Sequence, residues 1–129
     1  MPSRIAALAI DSLDPRAVAD FWCAVLDWKV TDVDEEGVRI SPPDQGGTPI
    51  DFLAVPENET KQVKNRLHID LRADGASTAE ELERLLELGA RRVDVGQGPD
   101  VTWVVLADPE GNEFCLLSRT AQEVASSRP

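Results

Sequence analysis

Hydrophobic and polar positions follow two rhythms along this chain, a period of two and a helical period, and the pair appears twice in the same order. The stretch RIAALAI (residues 4–10) alternates, with Leu8 and Ile10 on one face and Ala7 and Ala9 on the other, as in a strand. In LDPRAVADFWCAVLDW, Val18, Phe21, Trp22, Val25 and Leu26 recur at the spacing of one helical face. Asp14 is placed as N-cap and Pro15 at the first helical position. Strands are then predicted at Lys29–Val33, Gly37–Ser41 and Pro49–Val55, separated by the turn-forming DEEG and PPDQGG.

The second pass opens with NRLHIDLR, which puts Leu67, Ile69 and Leu71 on one face and Arg66, His68, Asp70 and Arg72 on the other. STAEELERLLELGA follows, with Ser77 and Glu80 at capping-box spacing, Leu82, Leu85 and Leu86 as the buried stripe, and Gly89 ending the helix. RRVDVG, TWVVLA and EFCLLS read as the remaining strands. The order βαβββ therefore occurs twice, over about 4–55 and 66–118, with a polar linker at 56–65. The tail, 119–129, is polar and is expected to fray. The whole, 1–129, is expected to be a single α+β domain. In each half the helix covers one sheet face, leaving the other free to curve around a cleft.

Composition narrows the partners. With 42% hydrophobic residues, the 129-residue chain can bury a real core. A net charge of −11 argues against nucleic acid or an anionic membrane surface as partner. The longest apolar run, Ile5 to Ile10, is too short to span a bilayer. Cys23 and Cys115 form no C-x-x-C pair, so reduced thiols in a cytoplasmic protein are expected. There is no phosphate-binding glycine loop and no nucleophile elbow: GQGPD lacks both the lysine and the following helix.

DPEGNEFCLLS (108–118) is first a tight turn feeding a strand, with Gly111 free to take positive φ. Together with DPRAVADFW, NRLHIDL and LLELGARRV, it resembles the glyoxalase-like members of the vicinal oxygen chelate superfamily. That superfamily includes glyoxalase I, extradiol dioxygenases, fosfomycin-resistance enzymes and bleomycin-binding proteins. The resemblance covers about residues 4–118 and implies two βαβββ modules forming a curved mixed sheet around a cleft, the glyoxalase/bleomycin resistance/dioxygenase fold. A homodimer is expected as well, since the sheets have open edges.

The resemblance also implies where a metal would sit, on the first and last strands of the two modules. Those positions fall on Ala7, Asp51, His68 and Cys115. Ala7 has no donor atom, and a thiol stands at 115 where the family has a carboxylate, so a hard-ligand site is poorly served. Asp51, His68 and Cys115 could still hold one divalent ion: Zn, Ni, Mn or Fe. The only histidine, His68, is a candidate ligand, base or hydrogen-bond donor. Asp51 is the other candidate for a catalytic role. Asp70, Phe52 and Trp103 are candidates to contact a ligand, although an Asp70–Arg72 or Asp70–Arg66 pair and a core role for Trp103 are the simpler readings. Glu113 is expected to be solvated or ion-paired. Two functions follow. The first is binding of a small organic molecule without the full metal-ligand set; the second is a glyoxalase-type lyase or isomerase acting on vicinal oxygens.

Overall fold

A computed structural model describes residues 2–44, 46–57, 61–93 and 103–126. The chain divides into two compact units, Met1–Thr60 and Lys61–Pro129. In the first, the order is β1 (Leu8–Ser12), α1 (Pro15–Leu26), β2 (Lys29–Val33), β3 (Gly37–Ser41) and β4 (Ile50–Ala54). The second has β5 (Ile69–Leu71), α2 (Thr78–Leu88), β6 (Arg91–Arg92), β7 (Trp103–Ala107), β8 (Glu113–Leu117) and a short α3 (Ala121–Ser126). Each unit holds a four-stranded mixed sheet, ordered β1-β4-β3-β2 in one and β5-β8-β7-β6 in the other. The outer pairs β1/β4 and β5/β8 are parallel, and the remaining pairs are antiparallel.

Local chemistry sets the helices. Asp14 accepts a hydrogen bond from the Ala17 amide at 3.1 Å, with Pro15 in the first turn. Ser77 and Glu80 close a reciprocal capping box, and Gly89 ends α2 at φ 118°. Helix α1 lays Val18, Phe21, Trp22 and Val25 on the sheet, and Val38, Ile40, Ile50 and Phe52 rise to meet them; all are buried. Phe52 is 0% exposed, so truncating it to alanine would cost about 3–5 kcal/mol. Gly37 lies where β3 passes close against β4: a Cβ there would run into the Phe52 carbonyl oxygen. In the second unit the corresponding core holds Leu85, Leu106, Phe114 and Leu116.

Several expectations are corrected. The strand predicted from Arg4 begins at Leu8 and runs on through Ser12, where the Val55 amide donates to the Ser12 carbonyl. In the second unit NRLHIDLR contributes only Ile69–Leu71 to the sheet, and Leu67, expected on the buried face, is 84% exposed. The segment just before it, residues 61–65, is instead tied to β8 by the Glu113 carboxylate, which accepts from Lys61 Nζ at 2.6 Å and the Asn65 amide at 2.8 Å. Leu86, placed in the buried stripe of α2, is 36% exposed. RRVDVG keeps two strand residues, with the Val93 amide donating to the Val105 carbonyl, and the rest of it lies outside the described residues. The tail, read from the sequence as lacking structure, is helical over Ala121–Ser126. Thr120 and Glu123 cap α3 reciprocally, the Ala121 amide donates to the Ala73 carbonyl, and Gln122 bonds Asp74 and the Gly75 amide.

Candidate functional site

The sheet of the second unit sorts its side chains by parity. Phe114, Leu116 and Leu106 are buried in the core, while Glu113, Cys115 and Leu117 of β8 and Trp103 and Val105 of β7 alternate to the other face. On that face a cavity of ≈ 400 Å³ opens, within the size range of small-molecule sites. Trp103, Val105 and Leu117 give it an apolar wall; His68, Asp70, Cys115, Lys64 and Glu113 bring the polar groups.

The polar groups converge because of strand register. Asp70 and Cys115 are cross-strand partners in the parallel β5/β8 pair, and His68 precedes Asp70 by two residues. The imidazole Nδ1 lies 2.8 Å from Asp70 Oδ1, with both side chains less than half exposed. Cys115 is 7% exposed. Burial pushes its thiol pKa up, and the neighbouring Asp70 carboxylate, which accepts the thiol proton, pushes it the same way; Lys64 works weakly against both. The thiol is thus a poor free nucleophile. One donor atom from each of His68, Asp70 and Cys115 lies within 4.8 Å of the others.

Glu113 shares this face but is not free to act. Burial pushes its pKa up, yet the Asn65 amide and the Lys61 ammonium outweigh that and hold it below the usual carboxylate range. The turn that leads into β8 is built by Asp108, whose Oδ1 accepts from the Glu110 and Asn112 amides, with Gly111 at φ 86°.

The first unit presents a different picture at the equivalent position. Asp51 is the cross-strand partner of Ala9 on one side and of Arg39 on the other. Arg39 grips it in a fork, Nε to Oδ1 at 2.6 Å and Nη2 to Oδ2 at 2.9 Å, and these bonds hold the Asp51 carboxyl below its ordinary range. Both carboxylate oxygens are therefore engaged. Phe52, a candidate ligand contact from the sequence, points the opposite way into the core and does not line the cavity. Ala7 precedes β1 and has no donor. The four-position metal set implied by the resemblance thus does not fit these residues. What the fold brings together instead is His68, Asp70 and Cys115, all in the second unit. Asp70 was the member that sequence reading paired with arginine; Arg72 in fact donates to the Arg119 carbonyl.

Comparison with known proteins agrees with this architecture. Residues 7–117 match the family described as the glyoxalase-like domain, and the chain belongs to that family, within the vicinal oxygen chelate superfamily. Among solved structures it is similar to the genomically encoded fosfomycin resistance protein FosX from Listeria monocytogenes, at 16% identity and a TM-score of 0.68, over 99% of this chain and 100% of that one. FosX from Mesorhizobium loti is similar at 15% identity and a TM-score of 0.65, over 98% and 99% of the two chains. A glyoxalase/bleomycin resistance/dioxygenase family enzyme from Burkholderia phytofirmans gives 19% identity and 0.59, over 88% and 97%. At these identities the likeness is one of fold. No curated protein sequence matches the chain. Among the described residues no helix is long and apolar enough to cross a membrane.

Proposed function

We propose that this protein binds a small organic molecule in the cavity of its second unit, without the four-residue metal set of its superfamily. One observation carries the reading: an apolar wall of Trp103, Val105 and Leu117 faces a polar end made by His68, Asp70 and Cys115 in one cavity. Apolar walls supply affinity by surface burial, and a few convergent polar groups fix orientation. The reading carries with it a homodimeric, cytoplasmic protein, which sedimentation and fractionation would check. The test is a small-molecule screen in the presence of chelator, with binding read by melting temperature and by NMR. Hits should lose affinity in His68→Ala and keep it in Asp51→Asn. Binding that ignores His68 and Trp103 would contradict the reading.

A second reading is a metal-dependent lyase or isomerase of the glyoxalase type acting on a vicinal-oxygen substrate. It is favoured by the three donor-bearing side chains that meet at the polar end of the cavity. A structural relative, the FosX variant from Listeria, was solved with Mn(II) and a dihydroxypropylphosphonic acid. Here an ion of the Zn, Ni, Mn or Fe series would polarise substrate oxygens. His68→Ala that leaves ligand affinity intact but stops turnover would favour this reading over simple binding.

A further inference from the structure

We infer that the second unit alone forms a metal site of zinc type, with His68, Asp70 and Cys115 as its three protein ligands and a fourth position open to the cavity. The inference rests on the cavity being the functional site and adds what would occupy its polar end. It departs from the ligand set that the resemblance implies: Asp70 replaces Asp51, and neither Ala7 nor Asp51 takes part.

Three observations support it. The first is convergence. A tetrahedral ion with bonds of about 2.0–2.3 Å needs donors separated by roughly 3.3–3.8 Å. The three donor atoms already lie within 4.8 Å of one another, and His68 and Asp70, 41% and 45% exposed in their side chains, have room to adjust. The second is the donor chemistry. A thiol, an imidazole and a single carboxylate select Zn and its borderline neighbours over Mg, Ca or Mn, which want oxygen donors. The third is the difference between the two units. In the first unit an arginine fork fills the carboxylate at the equivalent strand position. In the second, the residue opposite Cys115 on β7 is Val105, which cannot form such a fork; the cation of this cavity, Lys64, acts on Cys115 through its charge and is the weakest of the influences on the thiol. Cys115 would bind as the thiolate, its proton leaving to solvent. No oxidant or reductant is involved.

Cobalt(II) titration of the chelator-treated full chain tests this, because cobalt takes zinc-type sites and reports a thiolate ligand through a sulfur-to-metal charge-transfer band. We expect one equivalent bound, a charge-transfer band, and displacement by zinc. Cys115→Ser should abolish the band, and His68→Ala and Asp70→Ala should weaken binding by more than about 100-fold, beyond the roughly 10–100-fold typical of outer-shell partners. Asp51→Asn should change affinity by less than about twofold. Circular dichroism checks that each variant is folded; His68→Asn is the substitute should the alanine variant unfold. Binding without a charge-transfer band, binding indifferent to Asp70, or binding lost in folded Asp51→Asn would each overturn the inference. Small-molecule binding is measured separately in chelator, so its survival without a metal signal would sink this inference while sparing the cavity.

Discussion

The two units place different chemistry at one strand position. In the first, Asp51 of β4 lies between Ala9 and Arg39; in the second, Cys115 of β8 lies between Asp70 and Val105. The acid has moved one strand over and its cationic neighbour has become apolar. In the first unit the polar atoms satisfy each other in a bidentate ion pair and contribute to holding the sheet. In the second, His68 and Cys115 both turn to Asp70 rather than to an arginine, and the three line a cavity. A repeated architecture does not repeat its polar contacts: the residue on the neighbouring strand changes which partner a carboxylate takes.

Imposing one unit's chemistry on the other should have the largest effect. Cys115→Asp with Val105→Arg should rebuild the first unit's ion pair in the second, abolish cobalt and ligand binding, and leave the far-UV circular dichroism unchanged. Gly37→Ala has the largest expected effect on stability. The new methyl would press on the Phe52 carbonyl, and the strain should cost on the order of 3 kcal/mol, read by urea unfolding, with the second unit's binding preserved in the folded fraction. Trp103→Ala removes a cavity wall that is 39% exposed, so affinity for an aromatic ligand should fall about tenfold while the melting temperature stays nearly constant.

Smaller effects separate the two ion pairs. Arg39→Ala should lower the urea midpoint only slightly, because solvent screens the exposed guanidinium, and leave ligand affinity unchanged. Glu113→Gln loosens the 61–65 strap from which Lys64 reaches the cavity, and a loss of about 1–2 kcal/mol is expected because Glu113 is well covered. The sign of its pH dependence follows from the depressed folded-state pKa. Its stabilising contribution is present above the unfolded carboxyl pKa and is lost as pH falls through the folded value. Wild type should therefore lose stability in acid more steeply than Glu113→Gln, which urea midpoints across pH would show.

Much of the fold was legible because it rests on local signals. Asp14-Pro15, the Ser77/Glu80 box, Gly89 and the Gly111 turn each fix a backbone conformation within a few residues. Strands β2 and β3 fell on their predicted bounds for the same reason: clear alternation between turns. The edge strand β5 was over-read because alternation in NRLHIDLR says nothing about a partner, and only three residues find one on β8. The α3 cap was written in the sequence as Thr120 and Glu123, the same box spacing as Ser77 and Glu80, but a polar composition concealed it. At the site, parity correctly put His68 and Asp70 on one face. Which cation would claim which carboxylate depends on register between strands distant in sequence. Arg39 takes Asp51 across β3/β4, and among the described residues no arginine pairs with Asp70, so the sequence pattern alone makes Asp51 look available and Asp70 occupied.

The most direct test of the cavity as the functional site uses the single histidine. In a protein with one imidazole, the side-chain proton–nitrogen spectrum reports His68 without ambiguity, and the Trp103 indole reports the apolar wall. Titration of screening hits should shift both signals together at one affinity, while the Trp22 indole and the Arg39 guanidinium stay in place. Hits that move the Trp22 or Arg39 signals and leave His68 and Trp103 untouched would contradict the account.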